Sequence, residues 1–341
     1  MRAAVFHGSG QPLRLEEWPV PVPAAGEVLV RVAACGVCHT DLHYLDHGTP
    51  TFKSPPLILG HEISGTIAGL GPGATGWKEG DRVLLPAVLT CGACLHCREG
   101  RENICEQSVM LGNNVDGGYA EFVRVPAKDL FRLPQEIPLA EGAIIADAIT
   151  TPFHAVVRRA RVAPGDWVAV FGCGGIGINL VQLAAAVGAR VIAVDLDERK
   201  LDWARRLGAI ATIQAGSGSR PDKEVRQLTS GGADVAFEAV GRAATQEQAL
   251  NSLRTGGRLL LVGYSPEVLP LNAGRVMYRE IDVMGSLGCR PVDYPRVIDL
   301  VRRGKIKVQE LVTHRFPLER IADAFETLRR GEAVRAIVLM E

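Results

Sequence analysis

The sequence predicts an α/β protein of two domains, a mostly-β one first and a doubly wound parallel sheet second. Three observations carry this expectation. From Trp167 to Ser286 short apolar runs alternate with helix-like segments. A glycine-rich turn, Gly172-Cys173-Gly174-Gly175-Ile176-Gly177, follows the first of those runs and opens the first of those helices. Ahead of them, the chain to Val125 reads largely as strands broken by glycine and proline turns.

With 341 residues the chain is long enough for two separate cores. Hydrophobic residues make up 47% and charged residues 22%, a globular balance. The formal net charge is zero, so no global basic field recruits nucleic acid or a membrane surface. Met1–Phe6 runs directly into Gly8 without a long apolar signal core, and no apolar run reaches membrane-spanning length, which together predict a cytoplasmic protein. Eight cysteines in such a chain point to metal binding or catalysis before disulfides.

Taken in order, Met1–Phe6 and Leu13–Glu17 read as strands, and the run from Pro19 to Pro23 as an extended connector. Val28–Val32 is a strand leading into Cys35-Gly36-Val37-Cys38-His39-Thr40-Asp41-Leu42-His43. Here a thiolate can bind metal, a hydroxyl can carry a proton and an imidazole can pass it to solvent. A buried cysteine among turn-stabilising side chains reads the same way. Gly60-His61-Glu62 is either a surface histidine in a glycine turn or, beside Cys38, a second metal ligand. Gly76–Asp81 reads as a turn and Arg82–Leu85 as a strand.

Cys91, Cys94, Cys97 and Cys105 are separated by two, two and seven residues. Four thiolates so spaced can close a tetrahedron around one zinc and leave no open position, so this metal would be structural. Unrelated core or oxidised cysteines are the alternative, and His96 inside the lobe reads as a surface residue. Gly117–Val125 returns to strand periodicity, and Leu139–Val157 reads as one apolar helix. Asp147 inside that helix needs a partner. A cap or salt bridge would serve, and so would a metal shared with Cys38 and His61, with a fourth position open.

After Ala163-Pro164-Gly165-Asp166 the second domain begins. Trp167–Phe171 is a buried strand, Ile178–Val187 a helix and Arg190–Val194 a strand ending at Asp195, 18 positions past Gly177. In this setting G-x-G-x-x-G is a dinucleotide signal: the glycines permit the tight turn and let a pyrophosphate approach the helix N-terminus. Asp195 can accept from both ribose hydroxyls and would repel a 2′-phosphate, so NAD is expected over NADP, with Lys200 within reach of the ribose. Further helices are expected at Lys200–Leu207, Glu224–Thr229 and Thr245–Leu253. Further strands are expected at Ala211–Ile213, Ala233–Glu238, Gly257–Gly263 and Ile281–Ser286. Tyr294–Arg303 and Leu318–Arg330 read as helices and Ala336–Leu339 as a strand, all expected to pack back on the first domain.

These motifs resemble, in order and spacing over essentially the whole chain, the zinc-dependent alcohol dehydrogenases of the medium-chain dehydrogenase/reductase family. The resemblance implies a GroES-like catalytic domain at 1–148, completed by 288–341, a Rossmann-like NAD-binding domain at 149–287, and an active site in the cleft. It implies NAD and two zinc ions per chain. Cys38, His61 and Asp147 would hold the catalytic zinc, and Cys91, Cys94, Cys97 and Cys105 the structural one. Glu62 would approach the metal during ligand exchange, Thr40 and His43 would relay a proton, and Asp41 would orient the ligand histidine. His39, Gly172, Gly174, Gly175, Ile176, Gly177, Asp195, Lys200, Val262 and Gly263 would contact the cofactor. Val88, Leu89, Asn113, Asn114, Tyr119 and the loop near Leu287 would wall the pocket, and Arg290 would meet the cofactor phosphates or a surface carboxylate. The implied activity is reversible oxidation of a small alcohol to an aldehyde or ketone, in a homo-oligomer, dimer or tetramer, with no nucleic-acid or membrane partner. The same residues would also suit a zinc hydrolase using Glu62 on water, which needs no nucleotide fold, or a non-catalytic NAD- and zinc-binding sensor, which needs no relay.

Overall fold

A computed structural model describes residues 1–340, which fall into two compact units, Met1–Thr150 with the segment from Cys289 onward, and Thr151–Gly288. The first unit opens with strands β1 (Arg2–Phe6), β2 (Arg14–Glu17), β3 (Glu27–Gly36), β4 (Leu57–Ile58), β5 (Glu62–Leu70), β6 (Arg82–Leu85), β7 (Val88–Leu89), β8 (Val109–Met110), β9 (Phe122–Pro126) and β10 (Phe131–Arg132). Helix α1 (His39–Asp46) follows β3, and the short α2 (Leu95–Arg98) lies in the cysteine lobe. β3 shows why the unit forms. Val28, Val30 and Val32 alternate inward, as one half-buried face requires, and then the strand turns wholly buried from Ala34 to Gly36. Gly36 pairs with Glu62 across the sheet, and a Cβ at Gly36 would collide with the Glu62 carboxylate, so the glycine makes room for that acid.

Between Leu139 and Val157 the expected single helix is broken. A 3-10 turn at Glu141–Ala146 ends at Asp147 (φ −137°, ψ −54°), α3 spans Thr150–Phe153, and a π-turn runs over His154–Arg159. The apolar composition is real, but it packs several short turns. Asp147 stands at the break, with its side chain 21% exposed, where a continuous helix would have put a turn of backbone around it.

The second unit contains β11 (Trp167–Phe171), α4 (Gly177–Val187), β12 (Arg190–Asp195), α5 (Glu198–Arg206), β13 (Ala209–Gln214), α6 (Pro221–Leu228), β14 (Ala233–Glu238), α7 (Ala243–Ser252), β15 (Leu253–Leu261), α8 (Ala273–Tyr278) and β16 (Asp282–Gly285). Its six strands are all parallel, in the order β13-β12-β11-β14-β15-β16. The order reverses between β11 and β14, the switch point at which open α/β sheets leave a crevice for ligands. Helix α8 was not anticipated from the sequence.

The chain then returns to the first unit through α9 (Tyr294–Arg302), β17 (Val312–Pro317), α10 (Ile321–Arg329) and β18 (Arg335–Leu339). β18 pairs antiparallel with β3, in a sheet ordered β10-β6-β5-β3-β18-β17 with β9 also on β3. The last strand therefore lies beside the end of β3 that leads into Cys38. Strand β17, parallel to β18, was also not anticipated.

Candidate active site and metal centres

β3 ends at Gly36, and Cys38, still extended (φ −119°, ψ 151°), is the N-cap of α1. The Asp41 carboxylate accepts the Cys38 N–H at 3.4 Å, locking the first turn. Asp41 is fully buried. Its Oδ2 accepts the Tyr119 hydroxyl at 2.7 Å, and its Oδ1 lies 3.5 Å from His61 Nδ1. The Tyr119 hydroxyl is pushed well above its ordinary range by burial and by Asp41, so it stays a donor. Tyr119 is thus a fully buried prop and not a pocket wall. Asn113 is framework too: it donates to the Tyr44 hydroxyl at 2.9 Å and accepts from the Phe52 N–H at 2.8 Å.

Cys38, His61, Glu62 and Asp147 come together, each offering a ligand atom within 4.8 Å of the others. Three of them are buried. His61 Nε2 lies 3.9 Å from Asp147 Oδ2, yet neither His61 ring nitrogen makes a hydrogen bond. Glu62 Oε2 accepts from Arg335 Nη2, while Oε1 is buried without a partner. Burial pushes the Glu62 carboxyl up, and Arg335 opposes it. Each orphaned buried polar atom costs about 1–3 kcal/mol. A dication at the meeting point would satisfy His61 Nε2 and lie within reach of Glu62 Oε1, while His61 Nδ1 faces Asp41, and thiolate, imidazole and carboxylate are a donor set that suits zinc. The Thr40 hydroxyl lies 3.6 Å from Cys38 Sγ, and His43 sits one turn further along α1, half-buried. His39 is exposed at the helix start.

The second cluster, Cys91, Cys94, Cys97 and Cys105, also has its four ligand atoms within 4.8 Å of one another. Sγ–Sγ distances are 3.5 Å for Cys91–Cys105, 3.8 Å for Cys94–Cys105 and 3.9 Å for Cys91–Cys97. A tetrahedron with Zn–S bonds of about 2.3 Å has edges of about 3.8 Å. The Ala93 and Cys94 N–H groups point at Cys91 Sγ (3.4 and 3.3 Å) and bring its thiol down to about 6. Burial pushes Cys97 up to about 12. His96 is 29% exposed at the side chain and faces Glu99 and Glu106 at 3.9 and 3.8 Å, outside the sulfur set.

In the second unit Gly172 has φ 91°, and a Cβ on Gly177 would fall on the Gly172 carbonyl, so both positions require glycine. Gly174, Gly175 and Ile176 complete the turn into α4. Asp195 closes the turn from the next strand. Its Oδ2 accepts the Cys173 N–H at 2.7 Å and its Oδ1 the Asp197 N–H at 2.9 Å, leaving one lone pair on each oxygen for a hydroxyl. Lys200 is half-exposed on α5. Val262 and Gly263 donate to the Glu238 carbonyl at 2.9 and 3.0 Å, beyond the end of β15. Glu238 was missed from the sequence: its Oε1 accepts from Val240 N, Gly241 N and Thr245 Oγ1 and shapes the loop packed against Gly172. Arg335, also missed, is 5% exposed, and its only sequence signal was a charge in an otherwise apolar strand. Arg290 is taken up by Asp293 (3.2 Å) and the Gly100 carbonyl (3.2 Å), the carboxylate alternative of the two read from the sequence.

Residues 24–135 match the alcohol dehydrogenase GroES-like domain family, and residues 175–303 match the zinc-binding dehydrogenase family. An alcohol dehydrogenase of Moraxella sp. (strain TAE123) is 38% identical over 99% of both chains. One from Geobacillus stearothermophilus is 37% identical over 99% of both. A crystal structure of an NAD-dependent alcohol dehydrogenase superposes with a TM-score of 0.93 at 32% identity, covering all of both chains. Full-length similarity at this level, with both domain families present in order, shows that the chain belongs to the zinc-dependent alcohol dehydrogenases of the medium-chain dehydrogenase/reductase family.

Proposed function

We propose that the protein oxidises a small alcohol to an aldehyde or ketone, reversibly and with NAD, at a site built from Cys38, His61, Asp147 and Glu62. The observation that carries this reading is the convergence of those four side chains, with His61 and Glu62 Oε1 lacking hydrogen bonds, beside the Thr40 hydroxyl. When bound, zinc supplies a Lewis acid that makes the alcohol hydroxyl more acidic, and NAD supplies the hydride acceptor. Cys38, His61 and Asp147 hold the metal, and Cys91, Cys94, Cys97 and Cys105 hold the structural one. Thr40 Oγ1 would take up the alcohol proton as it gives up its own, and His43 would carry that released proton toward solvent. Asp41, itself held by Tyr119, aligns the His61 ring from behind. Arg335 restrains Glu62 through one oxygen, leaving the other to approach the metal during ligand exchange. That restraint counts against the hydrolase reading, in which Glu62 would have to turn freely as a base for water. On the cofactor side, Gly172, Gly174, Gly175, Ile176 and Gly177 seat the pyrophosphate on α4, with His39 as a cationic contact. Asp195 and Lys200 take the ribose, and Val262 and Gly263 line the nicotinamide end.

The chain also forms homo-oligomers on this reading. Among the described residues β16 is paired only with β15 and closes one edge of the parallel sheet, and Val268, Met277 and Tyr278 in the segment before it are 73–85% exposed. Light scattering that finds only monomer would refute it. Eight free cysteines agree with a reducing, cytoplasmic setting, and among the described residues no helix is long and apolar enough to cross a membrane.

The activity is tested by NADH formation with zinc-loaded protein over primary, secondary, cyclic, aromatic and polyol alcohols, with NADP run beside NAD. Turnover with NAD is expected. Tight NAD binding without turnover of any alcohol would favour the sensor, and a preference for NADP would overturn the role given to Asp195.

A further inference from the structure

The last turn of α1 places a second histidine over the first. His47 is the C-cap of the helix, and its N–H bonds back to the His43 carbonyl at 3.3 Å. The i,i+4 spacing stacks the two rings on one face, with centroids 5.1 Å apart and planes tilted by 51°. His43 Nδ1 and His47 Nδ1 are 3.0 Å apart, a hydrogen-bond distance. Two imidazole nitrogens can share that distance only with one proton between them, one ring donating and the other accepting. His43 is half-buried and His47 exposed, so the pair runs from the interior outward. Three further charged or titratable groups are near. Asp46 on the same helix is tied to Arg329 on α10 at 2.8 Å through each carboxylate oxygen, and His39 lies one turn earlier on α1. With Asp46 taken up by Arg329, the partner that remains for His47 is His43.

We propose that His47 is the outer member of a two-imidazole proton exit, receiving from His43 the proton released by the alcohol and delivering it to water. This deepens the reading of His43 as a proton carrier and rests on it. The balance is simple. In the outward state His43 Nδ1–H donates to His47 Nδ1, and His47 carries its own proton on Nε2. A proton arriving at His43 Nε2 forms a new N–H there. The Nδ1 proton crosses to His47 Nδ1, and the Nε2 proton of His47 leaves to solvent. The pair ends in the opposite tautomer, which is the state that carries a proton inward during carbonyl reduction; it resets when His47 Nε2 takes a proton from water, the shared proton returns to His43 Nδ1, and His43 Nε2 gives up its proton. No oxidant, reductant or additional acid is required. The C-terminal end of α1 assists, because the helix dipole there favours a cation while the pair is charged.

The test uses the zinc-loaded, full-length enzyme and the variants His47→Ala, His43→Gln and the double variant. ¹⁵N-imidazole NMR of the wild type should show a coupling between the two Nδ1 atoms across the shared proton, lost in either single variant. His47→Ala should lower kcat for alcohol oxidation by about fivefold in a weakly buffered medium, less than the 10²–10⁴ of a directly acting acid or base. Added imidazole should restore it while the melting midpoint stays unchanged. In the His43→Gln background the His47 change should cost nothing further. A missing coupling, a loss that imidazole does not restore, or an equal loss in the His43→Gln background would overturn the proposal. Wild-type turnover by His43→Gln itself would remove the relay reading, and this proposal with it.

Discussion

The two candidate metal clusters of the first unit are built in opposite ways. The four-cysteine lobe draws its ligands from Cys91 to Cys105, and its own backbone N–H groups solvate the sulfurs. The other cluster draws Cys38 from the cap of a helix, His61 and Glu62 from the head of β5, and Asp147 from a broken turn more than a hundred residues after Cys38. It is finished by Arg335, on a strand that returns after the whole second unit. The lobe can organise itself around its metal, because the chain between its ligands is short and has little apolar content of its own. The second cluster requires the sheet of β3, β5 and β18 to exist first. On the proposed ligand assignments, metal would stabilise fold in one place, and fold would present metal ligands in the other.

The largest expected effects test that division directly. Cys38→Ser should lower turnover by about 10³ or more, the order of about 4 kcal/mol of transition-state stabilisation. The thermal midpoint should barely move, and one zinc per chain should remain by metal analysis. Cys94→Ser should behave inversely. Loss of the lobe's metal releases folding energy, and the midpoint should drop by roughly 10 °C, with soluble yield falling before specific activity. A Cys38→Ser protein that unfolds, beside a Cys94→Ser protein that melts normally, would break the comparison.

A middle-sized effect should fall on the distributed cluster alone. Glu62 and Arg335 are 0% and 5% exposed, so Arg335→Leu leaves a buried carboxylate without its counter-charge. Such a loss costs about 3–5 kcal/mol. Denaturant titration should show it in Arg335→Leu, and Glu62→Gln in the same background should recover part of it, because the stranded charge is then gone. Zinc in the cysteine lobe should be retained in both. Tyr119→Phe is milder. It removes one donor from buried Asp41, worth about 1–3 kcal/mol, and should lower kcat more than it raises KM if Asp41 aligns His61.

The same contrast decided what was legible in the sequence. The cysteine lobe and the Gly172–Gly177 turn with Asp195 are local patterns, and spacing alone carried them. Cys38 with His61 was legible because both sit in short, chemically dense runs. Arg335 and Tyr119 were not, because an arginine at the head of an apolar strand and a tyrosine after two glycines announce nothing until β18 and β3 are paired. Helix α1 was hidden by its composition: eight residues with five ionisable side chains read as a turn. The break at Asp147 was hidden by the reverse, since an unbroken apolar run cannot distinguish one helix from a 3-10 turn followed by another start. β17 carries Thr313, His314 and Arg315 in a row between its apolar residues and ends in proline, which weakened its strand signal.

The smallest effect probes the other tie between the C-terminal segment and the catalytic side, the Arg329–Asp46 bridge from α10 to α1. Hydrogen bonding to Arg329 holds the Asp46 carboxyl below its ordinary value. A depressed folded value means that the bridge stabilises the fold above the unfolded carboxyl range, near pH 4, and that this contribution is lost as pH falls through the folded value. Both side chains are about a third exposed, so screening limits the bridge to less than about 1 kcal/mol. Asp46→Asn should therefore melt slightly below wild type at pH 7 in low salt, and together with it once pH has fallen through the folded Asp46 value or in molar salt. Because Asp46 adjoins His47, the same variant also separates anchoring from proton transfer. If the bridge only anchors α10, the melting difference appears at pH 7 while kcat stays constant. A kcat loss that persists in molar salt, where the melting difference has vanished, would mean that Asp46 acts on the imidazole pair and not through the helix it ties down.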